Sequence, residues 1–138
     1  WMHNRIRMVV ASFLVKHLRI NWIEGEKYFR NCLLDFNKAN NIAQWQWVAG
    51  CGADAAPYFR IFNPILQGEK FDKEGLYVKK WIPELKRVPN KYIHKPWQMD
   101  LNIQKSINTF IGKDYPSPIV IHEKARAAAL QAFQALKK

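Results

Sequence analysis

One arc of the N-terminal segment gathers Trp1, Asn4, Arg5, Met8 and Ser12 when residues are set about 100° apart on a helix. A solvated face carries Lys and Glu, whereas this one carries an aromatic ring, an amide, a guanidinium and a thioether. That mixture suits a pocket that stacks and hydrogen-bonds a flat polar ligand. It would equally serve a helix packed between two layers of protein. Asp35 closes a second helical segment, where the helix dipole disfavours a carboxylate. Pairing with Arg7 or Arg5 would offset that cost, and a structural salt bridge is the plain reading. Asn40 and Asn41 then precede Trp45-Gln46-Trp47. Two Trp spaced two apart on a helix cannot share a face. Each must find a separate use; one such Trp in a small protein is usually core, but two beside the Gly50/Gly52 exit and a polar Asn pair suggest a rim that stacks aromatic ligands. Cys32 and Cys51 lack the paired spacing of a zinc site, so no metal is expected.

The elements that must position these residues read as helices nearly throughout. Met2 to Ile20 is expected as one long helix, with Ile6, Val9, Val10, Phe13, His17 and Ile20 on its core face. Asn21 looks like the N-cap of a helix from Trp22 to Asp35, with Glu24 and Glu26 in its first turn. Residues 37–41 read as a polar connection, Ile42 to Val48 as a short helix, and Asp54 to Pro64 as a loop. A helix from Lys73 to Ile82 stops at Pro83, with Trp81 in the core beside Val78 and Ile82. Pro89 to Trp97 is short and bounded by prolines, 98–118 is irregular with one or two weak helices, and Glu123 to Leu136 is terminal. No strand alternation or repeat appears. The expectation is an all-α helical bundle.

Composition frames this reading. The chain has 138 residues, 49% hydrophobic and 14% aromatic, enough for one packed domain without staples. Two cysteines point to a reducing, cytoplasmic setting. No apolar run approaches a membrane span, so no membrane partner is expected. Lys and Arg number 22 against 11 Asp and Glu, a net charge of +11 that favours a polyanion such as nucleic acid, although a merely basic protein would show the same charge. Eight of the cations fall in residues 70–95, where they read first as a solvated face. The chain opens on Trp1 inside a helical pattern, which suggests a piece of something longer.

The segment Trp1-Met2-His3-Asn4-Arg5-Ile6-Arg7-Met8 resembles the active-site helix of the DNA photolyase/cryptochrome family. Trp45-Gln46-Trp47, the stretch from Asp54-Ala55-Ala56-Pro57-Tyr58 through Phe59-Arg60-Ile61-Phe62-Asn63-Pro64, and Gln67-Gly68-Glu69-Lys70-Phe71-Asp72 resemble its following blocks, in the family's order. The resemblance covers almost the whole chain and is closest to bacterial class I cyclobutane pyrimidine dimer photolyases. It implies residues 1–138 as the C-terminal part of the helical FAD-binding domain, without the antenna domain and the upstream flavin-gripping helices. The implied activity is light-driven repair of pyrimidine dimers in DNA by electron transfer from reduced FAD. By motif position, Trp1, Asn4, Arg7, Asp35, Asn37 and Asn41 would line the flavin, with Asn41 at its N5 edge. Asn4, Arg5, Met8 and Trp47 would meet the lesion, and Arg60 and Gln67 the DNA. Trp45 would be the proximal and Trp22 the middle member of an electron-transferring tryptophan chain. Asn37 departs from the family, which commonly carries Asp there.

Two other readings stand beside it. A cryptochrome-type light receptor without repair activity would share the flavin site, but usually replaces the residue at Asn41 by Asp or Cys. A cofactor-free basic DNA-binding domain explains the charge and leaves the Trp1/Asn4/Arg5/Met8 face without a use. The motifs here supply no Gly-rich or Ser/Thr-rich phosphate cradle. Residues 1–138 alone are therefore expected to be helical, colourless, inactive in repair, and either self-associating or marginally stable. The antenna chromophore is not legible in these residues.

Overall fold

Side-chain caps decide where most helices begin. In the computed structural model, which describes residues 2–55 and 59–136, the His3 ring accepts from the Arg5 N–H and opens α1, Asn4–Ser12. Asn21 accepts from the Ile23 N–H at 3.0 Å and opens α2, Trp22–Cys32, as its sequence position predicts. Asn37 accepts from the Asn40 N–H at 3.0 Å and opens α3, Lys38–Ala49. Asn63 accepts from Ile65 and Leu66, and Pro64 takes the first position of α4, Pro64–Phe71. The Asp72 carboxylate accepts from the Tyr77 and Val78 N–H groups of α5, Leu76–Trp81. Asp100 caps α6, Leu101–Ser106, and α7 runs His122–Ala135. Among the described residues the only β pairing is an isolated bridge between Ile111 and Tyr115, so the all-α expectation holds.

Several boundaries differ from the sequence reading, each for a local reason. The first helix does not run evenly to Ile20. After Ser12 it widens into a π-turn, Phe13–His17, in which the Leu18 N–H reaches back to the Phe13 carbonyl at 3.1 Å. Along this stretch Ser12, Lys16 and His17 are buried, His17 as its face predicts, while Val10 and Ile20 of the expected core face are exposed. Arg19, at φ 55°, then reverses the chain. Residues 38–41 are helical, because the Asn37 cap starts α3 a full turn earlier than its apolar residues do. The segment around Pro64 is a helix start, not loop punctuation, and α4 carries the whole Gln67–Phe71 stretch. The helix expected from Lys73 begins only at Leu76, since Gly75 adopts φ 68° to let the chain turn into it. Trp81 is 60% exposed and is not core, although Val78 and Ile82 do pack inward.

The described chain forms two compact units. One runs to Phe62 and is completed from Val120 onward; α1, α2 and α3 pack on one another, and α7 packs on the π-turn. Its core is Ala11, Phe29, Trp45 and Val48, with Trp22, Leu33 and Trp47 half-buried around it. Trp45 can lie this deep because Gly25 on α2 has no side chain: a Cβ there would sit 2.1 Å from the indole ring. The other unit, Asn63–Ile119, is built on Leu85, Val88, Ile93 and Met99. Its irregular stretch after α6 is held by Gln104, which donates to the Met99 carbonyl and accepts from the Ile111 N–H. No helix among the described residues is long and apolar enough to cross a membrane.

Candidate functional site

The first unit contains a cavity of about 440 Å³ bounded by α1, α2, the turn after it and α3. Its apolar walls come from Phe29, Leu33, Trp45 and Val48, core side chains that the packing of α2 on α3 holds in place. Phe29 and Trp45 meet edge to face, with centroids 5.1 Å apart. Polar groups enter from α1 through Asn4, Arg7 and Met8, from the turn through Asp35 and Asn37, and from α3 through Asn40, Asn41 and Gln44.

Two of these groups are fixed by partners. Arg7 grips Asp35 with one guanidinium nitrogen, at 2.9 and 2.7 Å to the two carboxylate oxygens, and donates from Nε to the Met2 carbonyl at 2.6 Å. Of the two partners the sequence left open for Asp35, Arg7 is the one that pairs. Its hydrogen bond holds the Asp35 carboxyl below the usual range. Asn41 donates from Nδ2 to both the Glu26 backbone carbonyl and the Glu26 carboxylate, each at 3.1 Å. Both partners are acceptors, so the amide cannot be reversed, and the oxygen is what Asn41 has left for the cavity. Glu26 is only 3% exposed and is itself held by Arg30 on the next turn, at 2.6 Å. The Arg30 hydrogen bond outweighs burial and keeps the Glu26 carboxyl below its ordinary value.

Of the residues singled out in the sequence, the cavity gathers Asn4, Arg7, Met8, Asp35, Asn37, Asn41 and Trp45. Trp1 lies outside the described residues. Arg5 is exposed and outside the lining. Ser12, the last residue of α1, faces protein rather than the cavity; it is fully buried and accepts from the Phe62 N–H at 3.2 Å. Trp22 and Trp47 pack half-buried against the core cluster that contains Trp45. Arg60 is exposed, its guanidinium 4.3 Å from the Phe62 ring centre. Gln67 stands on α4 in the other unit. Asn37 spends its side-chain oxygen on the α3 cap, which leaves the amide NH2 as its remaining group. Sequence reasoning missed Glu26 as part of the site. Its i,i+4 spacing to Arg30 was legible, but its burial under Asn41 arises only from packing α2 on α3.

An apolar slot with one guanidinium–carboxylate pair and one fixed carbonyl acceptor suits a flat, largely apolar ring with a hydrogen-bonding edge. Comparison with known proteins agrees with this. The family model described as the FAD binding domain of DNA photolyase matches residues 1–135. A deoxyribodipyrimidine photo-lyase of Agrobacterium fabrum is 59% identical over 99% of this chain and 29% of its own length. That of Escherichia coli is 54% identical over 100% of this chain and 28% of its own. The crystal structure of a bacterial class III photolyase from Agrobacterium tumefaciens superposes with a TM-score of 0.93 at 58% identity, covering 99% of this chain and 28% of that one. That solved structure is of a class III photolyase, whereas the resemblance read in the sequence is to class I. The chain spans less than a third of the length of these relatives.

Proposed function

The chain belongs to the family of photolyase FAD-binding domains, and from that premise we propose that residues 1–138 form the C-terminal part of the flavin-holding domain of a photo-lyase that repairs cyclobutane pyrimidine dimers in DNA. The observation that carries the reading is the Asn41 amide, locked by buried Glu26 so that a carbonyl oxygen is available at the cavity. The residues present fit a flavin ring: the cavity has ligand size, its walls are aromatic and aliphatic, and its polar groups stand at defined places. When bound, FAD supplies light absorption and one-electron chemistry.

Around it, Asn41 presents an acceptor to a ring N–H. Arg7, already anchored by Asp35, presents positive charge without reorganisation at the moment of reaction. Asn4 and Asn37 add amides, and Trp1 precedes them in the same motif. Trp45, 2% exposed and therefore shielded from water, would serve as an electron donor to the flavin, and Trp22, packed against the same cluster, would follow it in the chain. Asn4, Arg5, Met8 and Trp47 receive the flipped lesion, while Arg60 and Gln67 hold the DNA strand. The net charge of +11 favours binding of the polyanion. In residues 1–138 alone, apolar side chains such as Leu34, 90% exposed, favour self-association.

The test is an oligonucleotide carrying one thymine dimer, incubated with the purified flavoprotein in blue light and in the dark. Dimer loss in light alone supports repair. A yellow protein that leaves the dimer intact in light supports the receptor reading, and a colourless protein that binds DNA supports the cofactor-free one.

A further inference from the structure

Helix α1 and its π-turn bury three polar side chains, Ser12, Lys16 and His17, and none of them lines the cavity. Such groups stay buried only when partnered. Two of the three reach the same short segment, residues 59–62, which has no regular secondary structure of its own. Lys16, 4% exposed, donates from Nζ to the backbone carbonyl of Arg60. Its ammonium also lies 4.6 Å from the centre of the Phe59 ring, which stacks on Phe133 of α7 at 4.2 Å. Ser12 accepts from the Phe62 N–H at 3.2 Å, and Phe62 is itself buried. The backbone is therefore clamped at the Arg60 carbonyl and again at the Phe62 N–H, and the Phe59 ring is packed before it, while the Arg60 side chain is left exposed. Burial, and secondarily the neighbouring Arg60 charge, draw Lys16 down to about 8, so it is still cationic at neutral pH. A buried cation beside an exposed one is a costly arrangement for structure alone.

We propose that Lys16, with Ser12, is a positioning residue for Arg60: it fixes the backbone from which the Arg60 guanidinium meets a DNA phosphate. The inference rests on the reading of Arg60 as a phosphate contact. Lys16 acts through the carbonyl it holds and is itself too deep to touch the strand.

The experiment measures binding of the flavin-loaded protein to an undamaged duplex across a salt series, for Lys16→Met, Arg60→Ala and the double variant, with Lys16→Arg as the conservative replacement. Arg60→Ala should lower the salt slope by about one, the loss of a single phosphate contact. Lys16→Met should weaken binding about fivefold and lower the slope by the same amount, yet add less than about twofold in the Arg60→Ala background. Lys16→Arg should restore the slope. If Lys16→Met does not fold, Ser12→Ala, which releases the Phe62 N–H, is read in the same cycle with the same dependence on Arg60 expected. A normal slope for the Lys16 or Ser12 variant while Arg60→Ala loses one contact would overturn the positioning role. So would losses that simply add in the double variant. An unchanged slope for Arg60→Ala would overturn the phosphate reading itself, and with it the reason for the clamp.

Discussion

Asn41 has a fixed polarity because its partner is a buried carboxylate rather than water, and that partner is exchangeable by mutation. Glu26→Leu removes the carboxylate acceptor of the Asn41 amide and of the Arg30 guanidinium, leaving Asn41 only the backbone carbonyl of residue 26. Since Arg30 is 46% exposed and can turn to solvent, the expected cost is about 1–3 kcal/mol, mostly from the buried amide hydrogen that loses its carboxylate. Urea unfolding reads it, and an unchanged midpoint would show that Asn41 is not ordered by Glu26. Trp45 makes a different test. Trp45→Phe keeps an aromatic ring against Phe29 but is harder to oxidise, so photoreduction of bound oxidised flavin should slow at least about tenfold. Repair by chemically reduced protein should persist, and equal photoreduction in both proteins would remove Trp45 from the donor role. At this scale the sequence was most informative where a residue type is rare for its place, as for the Asn4 amide and Arg7 guanidinium of α1. Asp35 was singled out as closing a helix that in fact ends at Cys32, and it lies in the turn beyond, where its pairing with Arg7 holds. The sequence was silent on Glu26, whose importance lies in what covers it.

Among the elements, α2 and α3 depend on the absence of one side chain. Gly25→Ala gains about 1 kcal/mol of helix propensity but places a methyl within 2.1–2.6 Å of three ring atoms of a buried indole. The expected net effect is a loss of about 1–3 kcal/mol, with Trp45 fluorescence shifted, whereas a more stable variant would contradict the close packing. The π-turn meets α7 through His17 and His122, whose ring nitrogens are 2.8 Å apart. Burial first, and the His122 charge second, lower the His17 value. The unfolded state therefore takes up its proton before the folded state does. The stability this contact gives is present above about pH 6.5 and is lost as pH falls through the lower folded value. Hydrogen exchange should show α7 amides less protected at pH 5 than at pH 7.5, and equal protection would sink the argument. Helix existence was legible wherever apolar periodicity and an Asn cap agreed, as at Asn21. It was misread at Asn37 and Pro64, where the cap signal precedes the apolar pattern. The π-turn has no sequence signature: the small residues Ala11 and Ser12 permit close approach, but only the partners they approach, such as the 59–62 backbone, make the widening worthwhile.

For the molecule as a whole, excess positive charge and an aromatic-walled cavity are properties of different origin that one function requires together. Charge alone brings DNA of any sequence. The cavity alone holds a ring. Repair of a dimer needs the flavin's absorption to be the cause of the chemistry on the DNA, and that causal link is the central claim. The measurement is an action spectrum of dimer loss from a thymine-dimer oligonucleotide, taken with flavin bound, after flavin removal, and after FAD is restored. Dimer loss should follow the absorption of the reduced flavoprotein, vanish with the flavin and return with it. Dimer loss that continues in the dark or without flavin would contradict the claim, as would an intact dimer under light absorbed by fully reduced, flavin-loaded protein.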